Sequence, residues 1–160
     1  MYKRSGCFLS LALLLLASIL ASCNNSGCYD KMDVKVKCSF YSVDSAYAVT
    51  IDSVSVWGVG SDSLVYKNKN LSEISLDLDP NSSETRYVFQ VIGSGGYKFM
   101  DTITFKHVNK PWYQSAECGC MVFNTLDTCL TTGSIFQSAT ILEKEITNTE
   151  IETEHVILNI

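Results

Sequence analysis

Glu73-Ile74-Ser75-Leu76-Asp77-Leu78-Asp79 places an aliphatic side chain at every second position and an acid or hydroxyl between. A period of two sends Ile74, Leu76 and Leu78 to one side of an extended chain and the polar groups to the other, which specifies a half-buried strand. The same alternation runs upstream, where Val34, Val36, Cys38 and Phe40 interleave with Lys35, Lys37 and Ser39. Downstream, Tyr87, Phe89 and Val91 share one face of a strand, and Ile103 and Phe105 share one face of the next. Residues 47–57, 63–67, 118–125, 135–143 and 153–160 are further strand candidates. Turn chemistry separates them at Gly58 to Asp62, at Asp79-Pro80-Asn81-Ser82 and at Gly93-Ser94-Gly95-Gly96. No long stretch beyond residue 31 keeps a helical stripe. The expectation is an all-β domain, an antiparallel β-sandwich with an immunoglobulin-like outline, with a small closed barrel as the alternative.

The chain has 160 residues, 46% of them hydrophobic, with a net charge of −5 and seven cysteines. That is one ordinary domain, and its acidity argues against nucleic acid as a partner. Residues 1–22 stand apart. Lys3 and Arg4 precede an apolar run from Phe8 to Leu20, and its 13 residues fall short of a bilayer span. A leucine-rich core helix is the competing reading, but the basic flank and the position match a secretory signal. Leu20-Ala21-Ser22-Cys23 closes the run and resembles the lipobox of bacterial lipoproteins, which implies cleavage before Cys23 and acylation of its thiol. Two or more acyl chains anchor stably where one does not. The organisation expected is a signal peptide over 1–22, a lipidated cysteine and tether over 23–31, and one domain over 32–160. Loss of Lys3 and Arg4 with the signal takes the net charge to −7, so lipid and not charge would hold the domain to an anionic membrane. Asn24 after the acceptor favours the outer membrane by analogy with the enterobacterial sorting rule. The absence of an acidic cluster behind Cys23 favours its periplasmic face over the cell surface.

Further segments carry a resemblance. Cys23 with Cys28 close behind it, Asp101-Thr102-Ile103-Thr104-Phe105, Ser115-Ala116-Glu117-Cys118-Gly119 followed by Phe123, and Glu154-His155-Val156-Ile157-Leu158 together resemble a family of small Bacteroidota lipoproteins of unknown function. The resemblance implies a β-rich envelope domain and a pairing of Cys28 with Cys118, but no activity. Cys38, Cys120 and Cys129 depart from that pattern. With Cys23 acylated, five cysteines remain in the domain, an odd number, so at least one stays outside any intrachain bridge. Two structural bridges plus one thiol is the plain expectation, with Cys38 meeting either Cys120 or Cys129. Closing a loop of about ninety residues between Cys28 and Cys118 would stabilise by roughly 4 kcal/mol on the chain-entropy account. The sharper reading takes Cys118-Gly119-Cys120 as a redox pair or as two thiolates for a soft metal.

Materials for catalysis are few. His107 and His155 are far apart in the chain, and no nucleophile elbow, metalloprotease helix or phosphate loop is present. The acidic pairs Glu143 with Glu145 and Glu152 with Glu154 have the composition of glycosidase carboxylates, but at spacing two they suit a solvated strand face better. Asp77 to Asn81 lacks the glycine and the bidentate acid of a calcium loop and reads as a turn. Pro111-Trp112-Tyr113 supplies the binding candidates, since adjacent aromatics on a strand face opposite ways and Trp112 or Tyr113 would be left in solvent. Ser63, in Asp62-Ser63-Leu64, matches the Asp-Ser/Thr-apolar O-glycosylation acceptor of Bacteroidota and lies in an expected loop. The expectation from these residues is a lipid-anchored, non-enzymatic envelope module with no cofactor and no metal. Its partners would be the membrane, through Cys23, and an envelope protein or glycan. A thiol redox or soft-metal protein using Cys118 and Cys120 is the alternative.

Overall fold

The computed structural model describes residues 33–44, 47–116, 118–148 and 153–160. The expected signal peptide and tether, with Cys23 and Cys28, lie outside the described residues. Ten strands are present among those described: β1 Val36–Tyr41, β2 Ile51–Gly58, β3 Leu64–Leu71, β4 Glu73–Leu76, β5 Glu84–Ile92, β6 Lys98–Ser115, β7 Gly119–Thr131, β8 Ser138–Ile141, β9 Glu145–Ile146 and β10 Val156–Asn159. They form a four-stranded sheet in the order β4-β1-β10-β8 and a six-stranded sheet in the order β3-β2-β5-β6-β7-β9. The chain is an all-β sandwich. The finer immunoglobulin-like assignment does not follow from this strand order.

One pairing departs from a purely antiparallel design. β1 and β10 run parallel, in register from Cys38 opposite Val156 to Tyr41 opposite Asn159. β4 and β8 complete the smaller sheet with antiparallel partners. His155 serves this junction: it is buried, its Nδ1 accepts from the Lys37 amide at 3.1 Å and its own amide donates to the Lys37 carbonyl. Ser39, two residues further along β1, donates to Glu154 Oε1 at 2.7 Å. At the other extreme, β3 is an edge strand whose pairing with β2 is broken by repeated register shifts.

The alternating faces meet between the sheets. Val36, Cys38, Phe40, Ile74 and Leu76 from the smaller sheet bury against Val54, Val56, Phe89, Ile103 and Phe105 from the larger one. Residues 135–143, expected as one strand, instead divide into a loop carrying Phe136 and the short β8. Phe136 is fully buried: its ring stacks on Phe40 at 5.7 Å between centroids and meets Phe89 edge-on at 5.3 Å. It therefore bridges the two sheets from a loop.

Asp101 explains why a loop can do this. It sits on the inner face of β6, almost fully buried. Its Oδ2 accepts from the Ile135 and Phe136 amides at 2.9 Å each, and its Oδ1 accepts from the Thr132 amide at 2.9 Å and from the Thr132 hydroxyl. Gly133, at φ +82°, supplies the left-handed turn that lets these amides converge. Burial pushes the Asp101 carboxyl upward, yet the Thr132 hydroxyl and the three amides outweigh it and hold the group below its ordinary 3.8.

Phe136→Ala should cost about 3–5 kcal/mol of stability in urea unfolding, because it empties the space between Phe40 and Phe89. Asp101→Asn should cost about 2–3 kcal/mol at neutral pH, since several charge-assisted bonds are lost. The folded-state carboxyl titrates below the unfolded one, so its contribution is complete above about pH 4 and is lost as pH falls through the folded value. Urea midpoints of wild type and Asp101→Asn should accordingly converge as the pH is lowered from about 5 toward 2.

Candidate functional site

β6 and β7 form the longest hairpin of the fold, paired from Ile103 opposite Thr131 to Ser115 opposite Gly119. Their neighbours stop early. β5 pairs with β6 only as far as Lys106, and β9 meets β7 only at Asn124 and Thr125. Beyond those rungs no strand among the described residues flanks the hairpin, which is how Pro111 fits inside a strand: the edge it faces asks for no amide. Trp112 and Tyr113, read from the sequence as adjacent aromatics on a strand, lie near the C-terminal end of β6 on this two-stranded end.

Both aromatics are exposed, Trp112 at 53% and Tyr113 at 62%. Residues opposite one another in an antiparallel pair share a face. Trp112 is opposite Met121, and its ring stacks on Phe123 at 5.7 Å with a 24° interplanar angle. Tyr113 is opposite Cys120 on the other face. The stack fixes the indole while leaving one of its sides to solvent. Phe123 entered the sequence reading only as a family marker, because a cross-strand partner is set by register and not by sequence distance. At the base of this end, Lys110 Nζ reaches Glu145 Oε2 at 3.0 Å and Thr125 Oγ1 donates to Glu145 Oε1 at 2.9 Å, joining β9 to the hairpin. These contacts, Lys110 foremost, hold the Glu145 carboxyl below its ordinary range.

A second region needs testing, a groove of about 400 Å³ lined by Lys106, His107, Leu126, Asp127 and Lys144 among others. His107 is buried beside it with both ring nitrogens engaged, Nε2 with Thr85 Oγ1 and Nδ1 with Asn109 Oδ1, each at 2.8 Å. The Asn109 amide in turn donates to the Asp79 and Ser82 carbonyls, and Thr85 Oγ1 accepts from the Asp79 amide. The imidazole therefore fastens the 79–83 turn to β6. Glu143 is likewise committed, accepting from the Lys144 and Glu145 amides. Glu152 lies outside the described residues. Asp79 closes the 77–81 segment as a turn, its Oδ1 accepting from the Asn81 amide at 2.9 Å. Among the described residues no group of three or more His, Cys, Asp or Glu side chains is arranged to hold a metal.

The cysteines correct one expectation. Cys38, Cys120 and Cys129 are free thiols, so Cys38 bridges neither of the other two. Cys38 and Cys129 are buried on opposite sheets of the core, while Cys120 is exposed on the hairpin. Burial, with the nearby Cys129 second, pushes the Cys38 thiol far up, and burial alone takes Cys129 to about 12. Cys118 sits in the turn before β7 and is disulfide-bonded, which removes it from any Cys118–Cys120 pair. Cys28, the partner implied by the resemblance, lies outside the described residues. Ser63 is exposed in the β2–β3 loop, where its amide donates to Ser61 Oγ at 3.1 Å.

The profile of the Family of unknown function (DUF6452) matches residues 53–159, a span from β2 to β10 that includes the whole hairpin. No curated protein and no solved structure matches the chain.

Thiol labelling of the folded protein should modify Cys120 quickly, and Cys120→Ala should remove that reaction. Cys38 and Cys129 should react at least ~100-fold more slowly until the protein is unfolded, because burial leaves them protonated and shielded.

Proposed function

The chain belongs to the DUF6452 family, whose description assigns no activity, and we propose that it is a lipid-anchored envelope module that works by binding and not by catalysis. The observation that carries this reading is the two-stranded end of the β6–β7 hairpin, where Trp112 and Tyr113 stand exposed on opposite faces. Large rigid aromatics of this kind give contact area at little entropic cost and are the usual anchors of recognition surfaces. A catalytic reading has less to work with, since His107 spends both ring nitrogens on fastening a turn.

The anchor comes from Leu20-Ala21-Ser22-Cys23 and the leucine run before it, which carry the lipoprotein reading. In this reading signal cleavage exposes Cys23, and acyl chains on it hold the domain at the periplasmic face of the outer membrane. The family's relation to Bacteroidota lipoproteins is part of the same proposal. A bridge between Cys118 and Cys28 belongs to it as well, supported by the engaged state of Cys118 beside three free thiols.

Cys23→Ser should move the protein from the membrane pellet to the soluble fraction, and the mass of the wild-type protein should correspond to a chain beginning at Cys23 with acyl chains added. Retention of Cys23→Ser in the membrane, or a wild-type mass without acyl chains, would refute the anchor.

A further inference from the structure

The free end of the hairpin has an unusual charge pattern. From Pro111 to Phe123, Glu117 is the one acidic residue and no lysine or arginine occurs, although the chain as a whole carries 12 basic and 17 acidic residues. Exposed Trp112 and Tyr113 occupy this weakly charged end, one on each face. Amphipathic rings on a scaffold with little charge suit the headgroup layer of a bilayer, where Trp and Tyr concentrate.

The disulfide at Cys118 supplies the second, independent argument. Of the seven cysteines, Cys38, Cys120 and Cys129 are free. The bond from Cys118 can then be met within the chain only by Cys7, Cys23 or Cys28, all of them N-terminal to residue 33. An intrachain bond would thus tie the tip of the hairpin to the segment that contains the proposed acylation site. If Cys28 makes the bond, it lies five positions from Cys23, a reach of at most ~18 Å. The Trp112–Met121 rung lies three residues from Cys118 along β7, or ~10 Å.

We infer that the Cys118 end of the β6–β7 hairpin rests in the headgroup layer of the bilayer that anchors the chain, with Trp112 and Tyr113 as its interfacial contacts. This inference rests on the lipid anchor proposed above and adds an orientation to it: the hairpin points down at the membrane and the rest of the sandwich stands away from it. The weakly charged end is also the part of this acidic protein that approaches anionic headgroups with the least repulsion.

Trp57 provides an internal control. The chain has two tryptophans, and Trp57 is opposite Val88, which is opposite Thr102, ten residues back along β6 from Trp112. That separation is ~33 Å along the strand direction. The test uses the full lipidated protein in vesicles of phosphatidylethanolamine and phosphatidylglycerol, with and without phosphatidylcholine brominated near the headgroup. In Trp57→Phe, where Trp112 is the sole indole, bromolipid should at least halve the emission. In Trp112→Phe, emission from Trp57 should stay unchanged. Cys118→Ser should weaken the Trp112 quenching at least twofold while the protein still sediments with the vesicles. Vesicle-bound protein whose Trp112 emission ignores bromolipid would overturn the orientation and leave the anchor standing, as would equal quenching of both tryptophans. Failure of the wild-type protein to sediment with vesicles would remove the anchor and the orientation together.

Discussion

A single carboxylate holds the sandwich in its observed form. Asp101 is placed by β6 on the inner face of the larger sheet, where it gathers three amides and a hydroxyl from the 132–136 loop. What this secures is Phe136, the ring between Phe40 of one sheet and Phe89 of the other. A buried acid is costly unless its oxygens are satisfied, and here the loop backbone satisfies them. The arrangement converts an irregular connection into part of the core. It also gives a physical reason for the Asp101-Thr102 opening of a motif that first stood out only as a family likeness: the acid is the clamp, and the Thr102 amide just beyond it donates to the Thr132 hydroxyl.

The same strand serves two ends. Its first half, up to Lys106, lies between β5 and β7 and contributes Ile103 and Phe105 to the core. Its second half leaves β5 behind and continues as one arm of a two-stranded hairpin. His107 and Asn109 mark the change, using their polar groups to fix the 79–83 turn at the point where the sheet narrows. A rigid base and a free aromatic end follow from one continuous strand, so the exposed residues are positioned by the core and not by a flexible loop.

How legible this was depended on the kind of constraint. Alternation exposed the inward faces of β1, β4, β5 and the first half of β6, because each is half-buried and period two is forced on such a strand. The length of β6 was hidden, since Lys106, Asn109, Lys110 and Pro111 interrupt the apolar pattern where the strand runs on past the end of β5. Phe136 looked like a strand residue because burial alone does not tell a strand from a clamped loop, and its acceptor lies 35 positions earlier. Cys38 was read correctly as facing inward, but its relation to Cys120 and Cys129 depends on the packing of two sheets. Trp112 and Tyr113 were found by residue type, whereas the Phe123 stack needed the register.

The parallel pairing of β1 with β10 has a temporal side. β10 lies between β1 and β8, so the smaller sheet has no centre until residues 156–159 are in place. The larger sheet is built mostly from hairpins, with β2 joined to β5 across the intervening β3 and β4, and can assemble as the chain emerges. The inner face of that sheet, with Phe89, Ile103 and Phe105, would then wait uncovered for the last strand. Contacts of such long sequence separation form late and slowly. The interval between the arrival of β7 and that of β10 is therefore when the chain is most open to aggregation and proteolysis, and a protein shortened before residue 156 would never leave that state.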